Sequence, residues 1–244
     1  MSHRPEEPHR GFTLVEVLVA ISIIAILLAF SLPALVGARG SAERVVSLSR
    51  AKQLHAAIEM YANGSSGMYP AIDEEKDYPN LGGNGSFRFP YWQISETWFG
   101  VIWDVLPAEG SNLGVFYSPG VERLDRVGQM PPSYAYSTSF AGRPELWTPK
   151  GEPRTRYQRS AMTHEVRFPS SKAILWDGEL GWLRDTPKRE GQDLDEKTPM
   201  MMADGSGSQR IPAAASDAFP NPIAHALDRA KLHNTAEGVY GRDY

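Results

Sequence analysis

Glu16 is the residue whose chemistry most needs an explanation. It stands in Gly11-Phe12-Thr13-Leu14-Val15-Glu16-Val17, and from Val17 to Ala38 no charged residue follows. About 20 residues of helix cross a hydrocarbon core, so this run has the length of a membrane span. A bare acid at mid-membrane depth costs on the order of 2.5–3.5 kcal/mol or more, and such residues are usually paired and functional. The partner on offer is an amine that the chain does not yet have. A cut after Gly11 would give Phe12 a free α-ammonium four residues before Glu16. Cation and anion would then lie at opposite ends of one helical turn. They could pair within one subunit or between adjacent subunits in a stack.

Other chemistry is sparse. There is no Gly-x-Ser-x-Gly, no phosphate-binding glycine loop with Lys-Ser/Thr and no His-Glu-x-x-His. The chain is therefore expected not to be an enzyme. His55, His164, His225 and His233 show no ligand spacing. Carboxylates crowd the segment 177–204, as Asp177, Glu179, Asp185, Asp193, Asp195, Glu196 and Asp204. Calcium takes several carboxylate and carbonyl oxygens, often from loops, so Asp177, Glu179 and Asp204 are its candidate ligands here. Solvated acidic loops are the competing reading.

The 244 residues suffice for one sizeable domain plus an anchor. The net charge is −4, and removal of residues 1–11 takes away Arg4, Arg10, Glu6 and Glu7, which leaves it unchanged. This mild acidity argues against nucleic acid as a partner. With no cysteine, disulfides and thiolate metal sites are excluded. The 22 Gly and 19 Pro point to a loop-rich domain, and six Trp and ten Tyr to one that still packs a core.

The elements that would position these residues follow in order. Residues 1–11 form a hydrophilic leader, with Arg4 and Arg10 on the side expected to stay inside. Residues 12–63 read as one long helix, about 78 Å at 1.5 Å per residue. Its half 12–38 is apolar all round, and Pro33 predicts a kink or local melting near 29–33. Its half 39–63 is amphipathic, with Val45, Leu48, Ala51, Leu54, Ile58 and Tyr61 at steps of three and four. Asn63-Gly64 is a helix stop. Residues 64–244 are the globular part. Loops are expected over 64–94, with a short extended piece at 87–94. A buried helix is expected over Trp98–Leu106 with Ser95 as its cap, and strands over Leu113–Tyr117, Ser133–Phe140, Ala173–Trp176 and Met200–Ala203. Surface loops are expected over Gly142–Arg159 and Arg184–Thr198, a short helix over Ala224–Leu232, and frayed last ten residues.

Gly11-Phe12-Thr13-Leu14-Val15-Glu16, with Pro33 at the twenty-second position after the cut, resembles the processing site and first helix of type IV prepilins and type II secretion pseudopilins. The resemblance covers residues 11–63. It implies an α+β, pilin-like fold: a long N-terminal helix packed on a small antiparallel sheet with long loops. It further implies cleavage after Gly11 by a prepilin peptidase, methylation of Phe12, and docking of subunits through Glu16 in a filament of the type II secretion or type IV pilus kind. The partners would be that peptidase, other pilin or pseudopilin subunits and the inner membrane. The C-terminal domain would face the periplasm or the filament surface. Major pseudopilins of this kind bind calcium in a loop between strands; no other cofactor is implied.

A second set of residues resembles a prepilin-type family of planctomycetes and related bacteria. These are Val115-Phe116-Tyr117-Ser118-Pro119, Ser133-Tyr134-Ala135-Tyr136, Phe168-Pro169-Ser170-Ser171-Lys172-Ala173-Ile174-Leu175 and Met202-Ala203-Asp204-Gly205-Ser206. That family usually carries Cys where Ser118 stands and His where Leu194 stands. What it implies is a sheet packed on the helix, with an Asp-Gly turn near the last strands.

Two other readings of the first 40 residues remain. A signal peptide could be cut after Val36-Gly37-Ala38, leaving an exported protein that starts at Arg39. A plain anchor could hold a periplasmic binding module that never polymerises. Neither gives Glu16 a task.

Overall fold

The computed structural model of the protein describes residues 13–79, 85–106, 113–121, 131–148, 159–183, 195–221, 227 and 229–244. Two compact units divide the chain, the first ending at Ala42 and the second running from Glu43 to Tyr244. Helix α1, Leu14–Gly64, contributes to both.

In the first unit every large apolar side chain from Leu14 to Val36 is exposed. Ser22 and Ser31 donate their hydroxyls to the carbonyls of Leu18 and Leu27, at 2.7 and 2.8 Å. The few polar side chains thus spend their hydrogens on the helix's own backbone. Among the described residues this is the one helix long and apolar enough to cross a membrane. It stays helical through 29–33, so the local melting expected there is absent. A proline interrupts one rung of the backbone ladder, and the flanking turns hold the helix across it.

In the second unit the buried stripe of α1 is Ser47, Ala51, Leu54, Ile58 and Ala62, with His55 and Ala57 beside it. It matches the expected stripe at Ala51, Leu54 and Ile58 and departs from it toward the ends: Val45 is 64% exposed, and Leu48 and Tyr61 are only half-buried. Hydrogen bonds draw Ser47 inward, and alanines at 51 and 62 bring little side-chain bulk to the contact. The helix ends at Gly64, and the Gly67 amide closes the turn on the Ala62 carbonyl at 2.8 Å.

A small ribbon, β1 (Tyr78–Pro79) with β2 (Ser86–Phe87), precedes helix α2 (Ile94–Val101). The main sheet is an antiparallel meander of β3 (Tyr134–Tyr136), β4 (Ala173–Asp177), β5 (Thr198–Met202) and β6 (Gly207–Arg210), in that order. Its faces meet two different clusters. Tyr134, Tyr136, Leu175 and Met201 join Ala51, Leu54 and Ile58 of α1 and Trp98 of α2. Ala135, Trp176, Met200 and Met202 join Ala215 and Leu232. Trp98 donates its indole N–H to the Tyr134 carbonyl at 3.0 Å and stacks on Tyr136 at 6.2 Å. Burying a side chain of this size contributes about 3 kcal/mol.

Several expectations are corrected. Leu113–Phe116 is a 3-10 turn rather than a strand, because its backbone closes on itself: the Tyr117 amide bonds the Gly114 carbonyl. The strand expected over 133–140 stops at Tyr136. Thr138–Phe140 then forms a 3-10 turn, in which Thr138 and Ser139 donate hydroxyls to the His233 carbonyl. The extended piece at 87–94 shrinks to the end of β2. The buried helix begins four residues early, at Ile94, so Ser95 lies inside it, and Gln93 holds the cap position. Strand β6 was not expected, since Gly207-Ser208-Gln209-Arg210 has no apolar residue. Within the loop expected at 142–159, Pro144–Trp147 is a 3-10 turn whose Leu146 and Trp147 are core. Residues 149–158 and 184–194 lie outside the described residues, as do 224–226 and 228 of the helix expected over Ala224–Leu232; its residues 229–232 form a turn instead, with Arg229 and Leu232 at φ of +56° and +68°. The last ten residues are not frayed, for Thr235, Val239 and Asp243 are buried.

Candidate functional site

The site that the sequence singles out lies at the first turn of α1. Gly11 and Phe12 are outside the described residues, so the pairing of a Phe12 ammonium with Glu16 is not seen. What the structure does show is a use of Glu16 that the sequence reading missed. Thr13 precedes the helix, and its backbone N–H donates to Glu16 Oε2 at 2.9 Å. Its hydroxyl lies 2.7 Å from the same oxygen, and the Glu16 amide points at Thr13 Oγ1 from 3.2 Å. This is a reciprocal capping box. The first N–H groups of a helix have no partner within the helix, and a Thr-x-x-Glu pattern satisfies two of them. Thr13-Leu14-Val15-Glu16 carries that pattern on its face. An acid in the first turn is also favoured by the positive end of the helix dipole.

Oε2 serves Thr13, and Oε1 takes no part in these capping contacts. Pro33 lies five helical turns further on, within the unbroken helix.

The described carboxylates between 177 and 204 do not gather into one site. Asp177 closes β4 and is fully buried. Its Oδ2 accepts the hydroxyls of Ser47 and Ser118, each at 2.6 Å, and its Oδ1 accepts the amides of Glu179 and Leu180. Burial pushes its carboxyl above the usual range despite those four donors. Ser47 also meets the Tyr134 hydroxyl at 3.1 Å, so Asp177 ties α1, the Ser118 turn and β4 together. The Glu179 carboxylate is taken by the Ser133 hydroxyl at 2.7 Å. Asp204 lies in the β5–β6 turn, where its Oδ1 accepts the Ser206 amide and Gly205 adopts a φ of +79°. Ala203 bonds Lys172, just before β4, while Asp177 ends that strand. A span of four or five extended residues, about 15 Å, therefore separates Asp204 from Asp177. Among the described residues no three His, Asp or Glu side chains gather as a metal site. Asp195 and Glu196 are exposed, and Asp185 and Asp193 lie outside the described residues.

His55 is buried against the β5–β6 turn, within 3.8 Å of Glu59, and His233 packs edge-on against Trp176. His164 is exposed, and His225 lies outside the described residues.

Residues 8–32 match the model of the prokaryotic N-terminal methylation motif. The match spans the Gly11-Phe12 junction, Glu16 and most of the apolar run, and it supports a type IV prepilin-like family. The long first helix and the small antiparallel sheet fit the pilin-like α+β architecture. No curated protein and no solved structure matches the chain.

Proposed function

We propose that this protein is a non-enzymatic structural subunit, a pilin or pseudopilin. It is made as a precursor, held in the inner membrane by residues 12–38 and polymerised by a type II secretion or type IV pilus machine. Prepilin peptidase cuts after Gly11, and Phe12 becomes the methylated N-terminus. Glu16 then docks an incoming subunit by pairing with an N-terminal ammonium, and the domain 64–244 faces the periplasm or the filament surface. The observation that carries this reading is the methylation-motif match over residues 8–32, set on a helix that is apolar all round.

The capping box favours a second reading. If Thr13 is Glu16's whole purpose, the chain is a membrane-anchored periplasmic module that never polymerises. Glutamine separates the two, because it fills a capping box as glutamate does but carries no charge. Under the subunit reading, Glu16→Gln and Glu16→Ala both insert in the membrane and both fail to enter filaments, scored by electron microscopy and cross-linking to neighbours. Filaments from Glu16→Gln at the wild-type level would overturn it and leave the anchored module.

A further inference from the structure

Away from the N-terminal helix, the structure assembles a buried cluster that the proposed function does not use. Lys172, just before β4, is fully buried, and so is Asp243, which reaches it from 71 residues away. Lys172 Nζ lies 3.3 Å from Asp243 Oδ1. The Ser139 hydroxyl accepts from the same Nζ at 3.2 Å while donating to the His233 carbonyl at 2.8 Å. Thr235 sits between the pair. Its Oγ1 accepts from Lys172 Nζ, and its hydroxyl hydrogen goes to Asp243 Oδ1. The other carboxylate oxygen, Oδ2, accepts the Ala173 amide at 2.8 Å. The ring of Phe140 closes one side, 5.9 Å from Nζ.

We infer that Lys172 and Asp243 are the site of an intramolecular amide cross-link, formed between Nζ and Cγ with loss of one water. An ammonium and a carboxylate do not react; a free amine and a protonated carboxyl do. Burial drives Lys172 toward the free amine, against the pull of Asp243. Thr235 provides the path, since a proton passing from Nζ to Oγ1, as the hydroxyl proton passes to Oδ1, turns the ion pair into the neutral pair. Nζ then attacks Cγ. The Ala173 amide steadies the charge that develops on Oδ2, as oxyanion donors do. A second proton follows the same relay, the Cγ–Oδ1 bond breaks, and Oδ1 leaves as water. Atoms and electrons balance without an outside reagent. The product would tie the start of β4 covalently to the segment 235–244. It stands independently of the prepilin reading.

The test is peptide mass spectrometry on the full chain, purified in detergent, kept folded and then digested with trypsin. The expected result is a branched product. Lys172 resists cleavage, and the fragment Phe168–Arg184 carries the peptide that begins at Asp243, lighter than the two together by one water. Cleavage after Lys172 with the Asp243 peptide released unlinked would overturn the inference. Thr235→Val, which removes the relay, should lower the linked fraction at least tenfold after equal incubation. Linkage in that variant at the wild-type level would overturn the role given to Thr235.

Discussion

Glu16 holds Oε2 against both the amide and the hydroxyl of Thr13, and that contact changes what its charge can mean. A helix start needs its N–H groups satisfied whether or not filaments form, so the acid alone is weaker evidence for docking than its depth in an apolar run suggests. Its loss must be read against glutamine as well as alanine. Asp177 is a second carboxylate whose hydrogen bonds define its task. Its folded-state pKa is raised above the ordinary 3.8 by burial, so the native chain holds that proton more tightly than the unfolded one. Between 3.8 and the raised value, folding takes up a proton. Asp177's contribution therefore grows as pH falls through that window and shrinks as pH rises. Asp177→Asn keeps the acceptor for two amides and removes the titration. Its unfolding free energy, measured by urea titration from acid to neutral pH, should have a more positive slope with pH than the wild type. Equal slopes would contradict the account.

At the level of elements, the clasp around Asp177 depends on two turns that touch backbone to backbone. Gly120 has a φ of +83°, and a Cβ there would stand 2.6 Å from the Gly181 carbonyl oxygen. A Cβ on Gly181 would stand 2.5 Å from that of Pro119. Neither neighbour is a flexible side chain that could swing aside. Gly120→Ala should cost about 2–3 kcal/mol, seen as a lower melting temperature of the second unit; an unchanged melting temperature would contradict this packing. These same elements show what could be read in advance. Strands β4 and β5 stood out because both sheet faces are covered, which makes Ala173-Ile174-Leu175-Trp176 and Met200-Met201-Met202 apolar without alternation. Strand β6 has no such signal, since it is recruited by hydrogen bonds to β5 and not by burial. The expected stripe on α1 matches the buried one at Ala51, Leu54 and Ile58 and departs from it toward the ends, where Ser47, a polar residue, is buried by partners 87 and 130 positions away. No local pattern records that.

The chain as a whole is legible where its signals are local, at the N-terminus and in β4 and β5, and opaque where distant residues combine. The N-terminal motif is local, with its residues adjacent in sequence and its helix needing no tertiary partner to be recognised. The Lys172 cluster takes residues 139, 172, 235 and 243, and the Asp177 clasp takes 47, 118, 134 and 177. Their order in the sequence announces neither. The last ten residues look frayed in the sequence for the same cause: Gly, Arg and Asp suggest solvation, while in the structure Asp243 lies beside Lys172, and Arg167 and Arg242 lie over the rings of Tyr240 and Phe168. The central claim remains at the other end of the molecule, in the identity of the mature first residue. Mass spectrometry of the N-terminal peptide from the protein's own cells tests it most directly. For a processed subunit the expected peptide begins at Phe12 and carries a methyl group on its amine. A peptide that begins at Met1, or at Arg39, would contradict it.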